Sequence, residues 1–213
     1  MKYITRSTRY FAIVAVLAVS EKVAAAFQFG TTQQTVRSVA TGSENDLAWK
    51  LIDKAEKAGQ IGMKASEEVQ KEIAELAASL SSKSKGLGTK ATLAGKHDLV
   101  YSMSPGGSSG AIGPFVGKVV QKFEDENKFV NAVRLGPLEI ELQANRKIMD
   151  KSRIKVKFEE TKVKLFGIQV AQNTAKGQGV WKNLYVNVVE RGEDRRLLRV
   201  METPSLFIIQ QKL

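Results

Sequence analysis

The sequence contains no cysteine and only one histidine, His97, among its 213 residues. The absence of cysteine excludes disulfide bonds, thiolate metal sites and thiol nucleophiles. A single histidine argues against a histidine-based metal site, which needs several such ligands. No apolar run after residue 26 reaches the ~20 residues that a membrane-spanning helix requires. We therefore predict no metal centre and no cofactor, and only peripheral contact with any membrane.

The composition that remains is that of a basic protein with one packed domain. Apolar residues make up 43% of the chain, which is enough for a core, and the formal net charge is +11. Such a charge favours anionic partners, either nucleic acid or an acidic membrane surface. The basic positions lack interleaved aromatic residues for stacking on bases, and the strands carry no RNA-binding signature. We expect no nucleic-acid partner.

The N-terminus has the composition of a targeting segment. MKYITRSTRY is basic, FAIVAVLAV is apolar and SEKVAAA ends in small residues, the order of a signal peptide over residues 1–26. Residues 27–45 are polar and rich in Ser and Thr, as transit peptides are. Phe27 lies directly after the cleavage point. The two segments together therefore resemble the bipartite plastid presequence of algae with secondary, red-type plastids. The alternative is a secreted protein with a loose N-terminus.

Two helices are predicted in the next segment, residues 46–92. Apolar residues recur at helical spacing from Asp46 (Leu47, Leu51, Ile52, Ala55), and Gly59 is a natural C-terminal stop. Ser66 has the character of an N-cap for a second helix, whose apolar stripe would be Val69, Ile73, Leu76 and Leu80. Residues 81–91 are expected to form a flexible connector.

Strand periodicity dominates residues 93–213. One segment alternates Leu138, Ile140 and Leu142 with polar residues, and the segment 153–158 places Ile154, Val156 and Phe158 inward. Six further candidates are HDLVYSM, FVGKVVQKF, KFVNAVRL, VWKNLYVNVVE, RLLRVM and SLFIIQ. The short breaks between them favour an antiparallel meander that closes into a barrel. The fold class is therefore mainly β with N-terminal helices (α+β). Alternation alone does not distinguish a hollow barrel from a filled one.

Two motif matches fail the structural context that their chemistry needs. GGSSG over residues 106–110 matches a nucleophile elbow around Ser108, but it lies in a Gly- and Ser-rich loop with no helix signal after it. GLGTKA over residues 86–91 follows a helix rather than a strand, so it is not a dinucleotide fingerprint. No acid, base and metal constellation can be assembled, and we expect a protein without enzymatic activity.

A row of basic residues is the strongest charge feature, comprising Lys147, Lys151, Arg153, Lys155, Lys157, Lys162 and Lys164. Strand alternation places these side chains outward, where a solvated surface is the simpler interpretation. The functional interpretation is docking on anionic lipid headgroups by Lys151, Arg153, Lys155 and Lys157, at about 1 kcal/mol per cation near the surface.

LAWKLIDKAEKAGQIG, SEEVQKEIAELAASL and LAGKHDLVYSMS resemble the N-terminal half of the plastid lipid-associated proteins, also called fibrillins or plastoglobulins. RIKVKFEE, GVWKNLYV and LLRVMETPSLFIIQQ resemble the C-terminal half, so the similarity runs from about residue 47 to the end. The resemblance implies a lipocalin-like barrel in plastids, at thylakoids, at plastoglobules or in the stroma. It also implies binding of lipids or small hydrophobic molecules such as quinones, carotenoids or acyl lipids.

One position departs from the family pattern. The family usually opens its first barrel strand with Gly-x-Trp, whose indole packs against an Arg from a late strand. This chain has Gly95-Lys96-His97, and Arg199 matches the arginine. We expect that either Trp49 or Trp181 occupies the position of the missing indole, or that the barrel floor is altered.

The predicted ligand-contacting residues are Tyr101, Ile140, Val156, Phe158, Tyr185 and Arg199. The two tyrosines are included because a polar-tipped aromatic side chain can orient a ligand, although structural packing is the commoner role. The alternative function is a structural or interaction protein without a ligand, which docks on photosynthetic complexes through its basic face.

Overall fold

The computed structural model describes residues 39, 40, 42–83 and 93–213. The predicted signal peptide (1–26), most of the predicted transit segment (27–45) and the GLGTKA motif lie outside the described residues. The described chain forms one unit of two helices followed by a large antiparallel sheet. This order confirms the mainly β fold class with N-terminal helices.

Two amphipathic helices of equal length come first, α1 (Gly42–Ala58) and α2 (Glu67–Lys83). The apolar stripe predicted for α1 is confirmed, since Leu51, Ile52 and Ala55 are buried. The helix ends at Gly59, which has φ +82° and donates its N–H to Ala55 O at 3.0 Å. At the start of α2, the Ser66 hydroxyl accepts the Val69 N–H at 3.4 Å, as an N-cap residue does.

The sheet contains nine strands that follow the helices. They are β1 (Gly95–Ser102), β4 (Lys118–Phe123), β5 (Lys128–Leu135), β6 (Leu138–Ile148), β7 (Arg153–Leu165), β8 (Ile168–Thr174), β9 (Gln178–Arg191), β10 (Asp194–Glu202) and β11 (Leu206–Lys212). A separate short hairpin consists of β2 (Ala111–Ile112) and β3 (Phe115–Val116).

The strand order closes the sheet into a barrel. The order is β6-β5-β4-β1-β11-β10-β9-β7-β8, and β6 also pairs with β7. Eight strands therefore form a ring. β8 lies outside this ring as an edge strand that pairs with the C-terminal half of β7. All seven residues of β8 are exposed, and this strand was missed in the sequence because nothing is buried on either of its faces.

The two faces of the wall formed by β1, β9, β10 and β11 pack into separate cores. The outer face carries Val100, Leu198, Val200 and Ile208, which pack against the buried stripes of α1 and α2. The inner face carries a second apolar cluster, which includes Leu99, Phe123, Phe129, Ile154, Val156, Trp181, Leu197 and Ile209. The helices therefore cover one side of the barrel and leave its interior free.

Two β-bulges decide which face two tyrosines join. The pairing of β1 with β11 skips Val100, so Tyr101 faces the helices although Leu99 faces the interior. The pairing of β9 with β10 skips Leu184 in the same way. Tyr185 consequently lies in the helix-covered core. An extra residue in one strand inverts the alternation beyond it, which a period-2 pattern does not show.

Candidate functional site

The barrel encloses a cavity of about 790 Å³, within the ~300–1,000 Å³ range of small-molecule sites. Its wall is mainly apolar and includes Leu99, Val133, Ile140, Leu142, Phe158 and Trp181. In the part of the chain that the structure describes, no Asp, Glu, Lys or Arg side chain lines this cavity. The interior is therefore hollow and suited to a molecule that is apolar over most of its surface.

The segment between β1 and β4 covers one end of the cavity. Residues Gly106–Ser109 form a single 3-10 turn, and Gly107, Ser108, Ala111 and Ile112 contribute to the lining. The GGSSG sequence thus forms a turn between strands rather than the strand-to-helix elbow that a nucleophilic serine requires.

Gln60, from the connection between the helices, fixes this cover in place. Its Nε2 donates to the carbonyl oxygens of Ser109 and Gly117, both at 2.8 Å. Gly110 has φ +84°, and a Cβ there would lie 2.2 Å from Gln60 Nε2 and 2.3 Å from Gly117 O. A glycine is therefore required where the segment meets Gln60.

A row of polar side chains crosses the cavity wall on three adjacent strands. His97 on β1 is opposite Gln121 on β4, and Gln121 is opposite Asn131 on β5. All three line the cavity. His97 and Gln121 are buried at 0% and 6% exposure, and His97 Nδ1 and Asn131 Oδ1 have no hydrogen-bond partner in the described structure. The apolar cavity therefore contains one polar zone.

Arg199 reaches this polar zone from β10. The side chain is fully buried, its Nε donates to Asn183 Oδ1 and its Nη1 donates to Gln121 Oε1, both at 3.0 Å. Nη2 has no partner among the described residues. Burial, and then the charge of Arg146, lower the pKa of the guanidinium to about 9, which keeps it charged at neutral pH.

Phe123 provides the aromatic face at the barrel floor. The guanidinium of Arg199 lies 5.5 Å from the Phe123 ring centroid, and His97 meets the same ring edge-on at 5.3 Å. Neither Trp49 nor Trp181 takes this position. Trp49 is covered by Arg191 and Arg196 on the helix side, and Trp181 packs against Phe129 with their rings tilted by 58°. Of the two expectations for a chain with Gly95-Lys96-His97 in place of Gly-x-Trp, the structure therefore shows the altered barrel floor.

His97 is neutral in the folded chain. Its Nε2 donates to Leu93 O at 2.9 Å, which leaves Nδ1 as a bare acceptor. Burial is the main cause that lowers the pKa of His97 to about 4, and the charges of Arg199 and Arg146 act in the same direction. The residue is therefore an uncharged part of the polar zone at physiological pH.

The structure separates the six predicted ligand residues into two groups. Ile140 and Phe158 line the cavity, Val156 is buried in the inner apolar cluster but is not a lining residue, and Arg199 contacts the lining residue Gln121. Tyr101 and Tyr185 lie outside the cavity, under the helices. Burial raises the pKa of both tyrosines. Gln121, Asn131 and Trp181 were missed as lining residues, although the alternation of their strands could have identified them.

The predicted membrane-contact residues lie together on the exposed outer face near the turn from β6 to β7. Lys151, Arg153, Lys155 and Lys157 are all exposed, and Lys155 is directly opposite Lys147. Arg153 pairs with Asp150 at 2.6 Å. No ion pair of Lys147, Lys151, Lys155 or Lys157 occurs within the described ranges. Lys162 and Lys164, at the other end of the row, pair with Glu160 and Glu141.

Fold and cavity together define a small hollow antiparallel barrel with a helical cover on one side. A family model described as PAP_fibrillin matches residues 45–197, and the chain belongs to this family, the plastid lipid-associated proteins or fibrillins. No curated protein and no solved structure matches the chain. The match ends at Leu197, so Arg199 and β11 lie beyond it.

Family membership makes the chain a plastid lipid-associated protein. The match includes α2, α1 from Asn45 onward, the cavity cover and the polar row of His97, Gln121 and Asn131. None of the helices that the structure describes is long and apolar enough to cross a membrane.

Proposed function

We propose that this protein is a non-enzymatic carrier that holds one lipid or small hydrophobic molecule inside the barrel, at the surface of thylakoids or plastoglobules. Candidate cargoes are quinones, carotenoids and acyl lipids. The observation that carries the proposal is the cavity of about 790 Å³ with its mainly apolar wall. Transfer of an apolar molecule from water into such a wall contributes about 25 cal/mol per Å² of buried surface.

The test uses Trp181 as a reporter, because it lines the cavity and the chain has only two tryptophans. In a Trp49→Phe background, a quinone or a carotenoid that enters the barrel should quench the remaining fluorescence in a saturable way. Leu142→Phe should weaken this binding by filling the cavity, whereas Leu76→Phe on α2 serves as a control outside it. Unsaturable quenching, or equal affinity in the cavity variant, would count against the carrier function.

We further propose that the surface around the β6–β7 turn is the membrane-contact surface. Ile148 and Met149 are 49% and 50% exposed at this turn, next to Lys147 and Lys151. Exposed apolar side chains among lysines fit the boundary between anionic headgroups and acyl chains. Each cation near such a surface contributes about 1 kcal/mol to binding.

Charge reversal tests this surface. The double variant Lys155→Glu, Lys157→Glu should reduce binding to vesicles that contain anionic lipid, as measured by co-flotation at low salt. The matched control is Lys64→Glu, Lys71→Glu, which changes the net charge equally on exposed helical positions. If both double variants bind equally, the contact surface lies elsewhere.

A second candidate function is ligand-free docking on photosynthetic complexes through the same basic face. It is favoured by the direct opposition of Lys147 and Lys155, since like charges opposite each other destabilise a sheet unless an anionic partner covers them. A single measurement distinguishes the two functions. Native mass spectrometry of protein isolated from plastids should show a bound lipid or pigment for the carrier and the bare chain for the docking protein.

The plastid route through a secondary, red-type presequence is proposed from the N-terminal sequence. A fusion of the full chain to a fluorescent protein, carrying Phe27→Ala, should stop outside the stroma, whereas Phe29→Ala serves as the control. Normal import of the Phe27 variant would refute this route.

A further inference from the structure

Arg199 is a buried cation without a carboxylate partner. Its exposure is 0%, and both of its hydrogen-bond acceptors, Asn183 Oδ1 and Gln121 Oε1, are neutral amide oxygens. A buried charge is costly unless an opposite charge or a full set of hydrogen bonds compensates it. Arg199 has neither, because its Nη2 has no partner among the described residues.

A second buried cation, Arg146, lies close to Arg199. Arg146 is only 8% exposed, and its guanidinium lies 4.9 Å from the ring centroid of Phe123, the ring that Arg199 also approaches. Its Nε donates to the carbonyl oxygen of Glu126 rather than to a carboxylate. Burial, and then the repulsion between the two guanidiniums, lowers the pKa of Arg199. The carboxylates of Glu126 and Asp125 act on the charge of Arg146, whereas Arg199 donates only to neutral amides. The uncompensated positive charge at the barrel floor is therefore that of Arg199.

Gln121 connects the charge of Arg199 to the cavity. Its Oε1 accepts the Arg199 N–H, so the amide group is held by the cation, and its side chain lines the cavity. The Nε2 group makes no hydrogen bond within the described structure. Asn131, directly opposite on β5, has no side-chain partner either, so its amide can turn its NH₂ group toward a ligand. The cavity thus offers amide donors backed by a buried positive charge.

We propose that the cavity selects an amphiphile with a carboxylate head, such as a long-chain fatty acid. The head accepts hydrogen bonds from Gln121 and Asn131 and supplies the negative charge that Arg199 lacks, while the chain lies along Ile140, Leu142 and Phe158. This inference rests on the carrier function proposed above and narrows its cargo to one chemical class.

The charge of the floor is what distinguishes a carboxylate from a neutral carbonyl. A quinone or ester oxygen can accept the same amide hydrogen bonds but leaves the guanidinium uncompensated. Hydrogen bonds to charged groups are stronger than neutral ones, and the low dielectric of the interior enhances the attraction. A carboxylic acid should therefore bind about tenfold or more tightly than its own methyl ester.

The first experiment compares two ligands with one chain. Oleate and methyl oleate are titrated into the full chain at pH 7.5, and their affinities are measured by displacement of a neutral fluorescent lipid. Tighter binding of oleate by about tenfold supports the inference. Equal affinities overturn it and leave the carrier function intact, whereas binding of neither ligand, together with unsaturable Trp181 quenching, contradicts both proposals.

The second experiment supplies the missing negative charge from the protein. Gln121→Glu is nearly isosteric and places a carboxylate against Arg199, so it should raise the melting temperature and abolish the preference for oleate over methyl oleate. Gln169→Glu on the exposed strand β8 makes the same chemical change outside the barrel and should alter neither property. Retained oleate preference in a folded Gln121→Glu chain would overturn the inference.

Discussion

Arg196 and Arg199 lie on opposite faces of strand β10, and their charges have different hydrogen-bond partners. Arg196 faces the helices, where it donates to Asp194 and Glu56 and covers the ring of Trp49 at 4.8 Å. Arg199 faces the barrel interior, where its acceptors are two neutral amides. Both are almost completely buried, at 7% and 0% exposure. The difference between them is therefore compensation of charge rather than burial.

The comparison extends from the two arginines to the two cores they belong to. The helix-covered core is filled, with Leu51, Ile52, Ile73 and Leu80 at 0% exposure, and its buried cation has carboxylate partners. The interior contains a cavity, a charged group without a counterion and unpartnered polar atoms. Unpartnered polar atoms occur in both cores, since Trp49 Nε1 and the Tyr185 hydroxyl on the helix side also have no partner among the described residues. The features that distinguish the interior are its cavity and its uncompensated charge, and these mark the place where a ligand is expected.

The largest difference is expected for removal of apolar side chains from the two cores. Leu51→Ala should lower the free energy of unfolding by about 2–5 kcal/mol, because it opens a new void in a filled core. Leu142→Ala only enlarges an existing cavity. It should lower the free energy of unfolding by about 1 kcal/mol, because the side-chain carbons it removes are only partly buried against other protein atoms. Urea denaturation measures both. Equal losses would show that the barrel interior is packed as tightly as the helix-covered core.

The next effect is a pH dependence that belongs to the interior. Because His97 has a pKa of about 4 in the folded chain and about 6.5 unfolded, the unfolded state binds more protons between these values. Stability should be fully present above pH 6.5 and should fall by roughly 3 kcal/mol as the pH decreases to 4.

His97→Gln provides the control for this dependence, since glutamine can still donate to Leu93 O but does not titrate. The carboxylates of the helix-covered side, such as Asp53 and Asp194, have pKa values below their usual range and affect both proteins at lower pH. The stability difference between the two proteins therefore isolates His97. A constant difference from pH 7 to pH 4 would contradict the prediction.

Smaller changes in stability, of opposite sign, are expected for replacement of the two arginines. Arg196→Met should destabilise by about 1–3 kcal/mol, because Asp194 and Glu56 lose their charged hydrogen-bond partner. Arg199→Met should be neutral or stabilising, because it replaces an uncompensated buried charge with an apolar side chain. Thermal unfolding without ligand compares them. A larger loss at Arg199 would indicate that the interior cation is structural.

The smallest effect is expected at a tyrosine of the filled core. The Tyr101 hydroxyl donates to Met103 Sδ at 3.0 Å, and sulfur is a weak acceptor. Tyr101→Phe should therefore change stability by less than about 1 kcal/mol and leave lipid affinity unchanged, because the ring faces the helices. Gly62→Ala should cost more, since its Cβ would lie 2.3 Å from the Tyr101 ring. Altered lipid affinity in Tyr101→Phe would mean that the cavity extends under the helices.

Sequence periodicity predicted most of the architecture. Both helices, the Ser66 cap, the Gly59 stop and the outward lysines of β7 follow from local pattern, since helical and strand repeats depend on residues close in the chain. The predicted strand over residues 115–123 is divided at Gly117 into β3 and β4, and β8 was not predicted. Both differences arise where segments are exposed and hydrophobic alternation has no core to match.

The candidate site was predictable only in part. Ile140 and Phe158 lie in uninterrupted stretches of alternation, and they do line the cavity. Tyr101 and Tyr185 follow β-bulges, which moved them to the opposite face. A bulge depends on how a strand pairs with its neighbour, so a single strand's sequence does not contain it.

By itself, the sequence determined the fold class, the family, the order of helices and strands and the excess of positive charge, because these depend on composition and local repeats. Only the tertiary structure decided that the barrel is hollow, that Phe123 rather than a tryptophan lies under Arg199, and that this cation has no carboxylate partner. Those properties depend on residues such as Gln121, Asn183 and Arg199, which are far apart in the chain and meet only when the strands close into a ring.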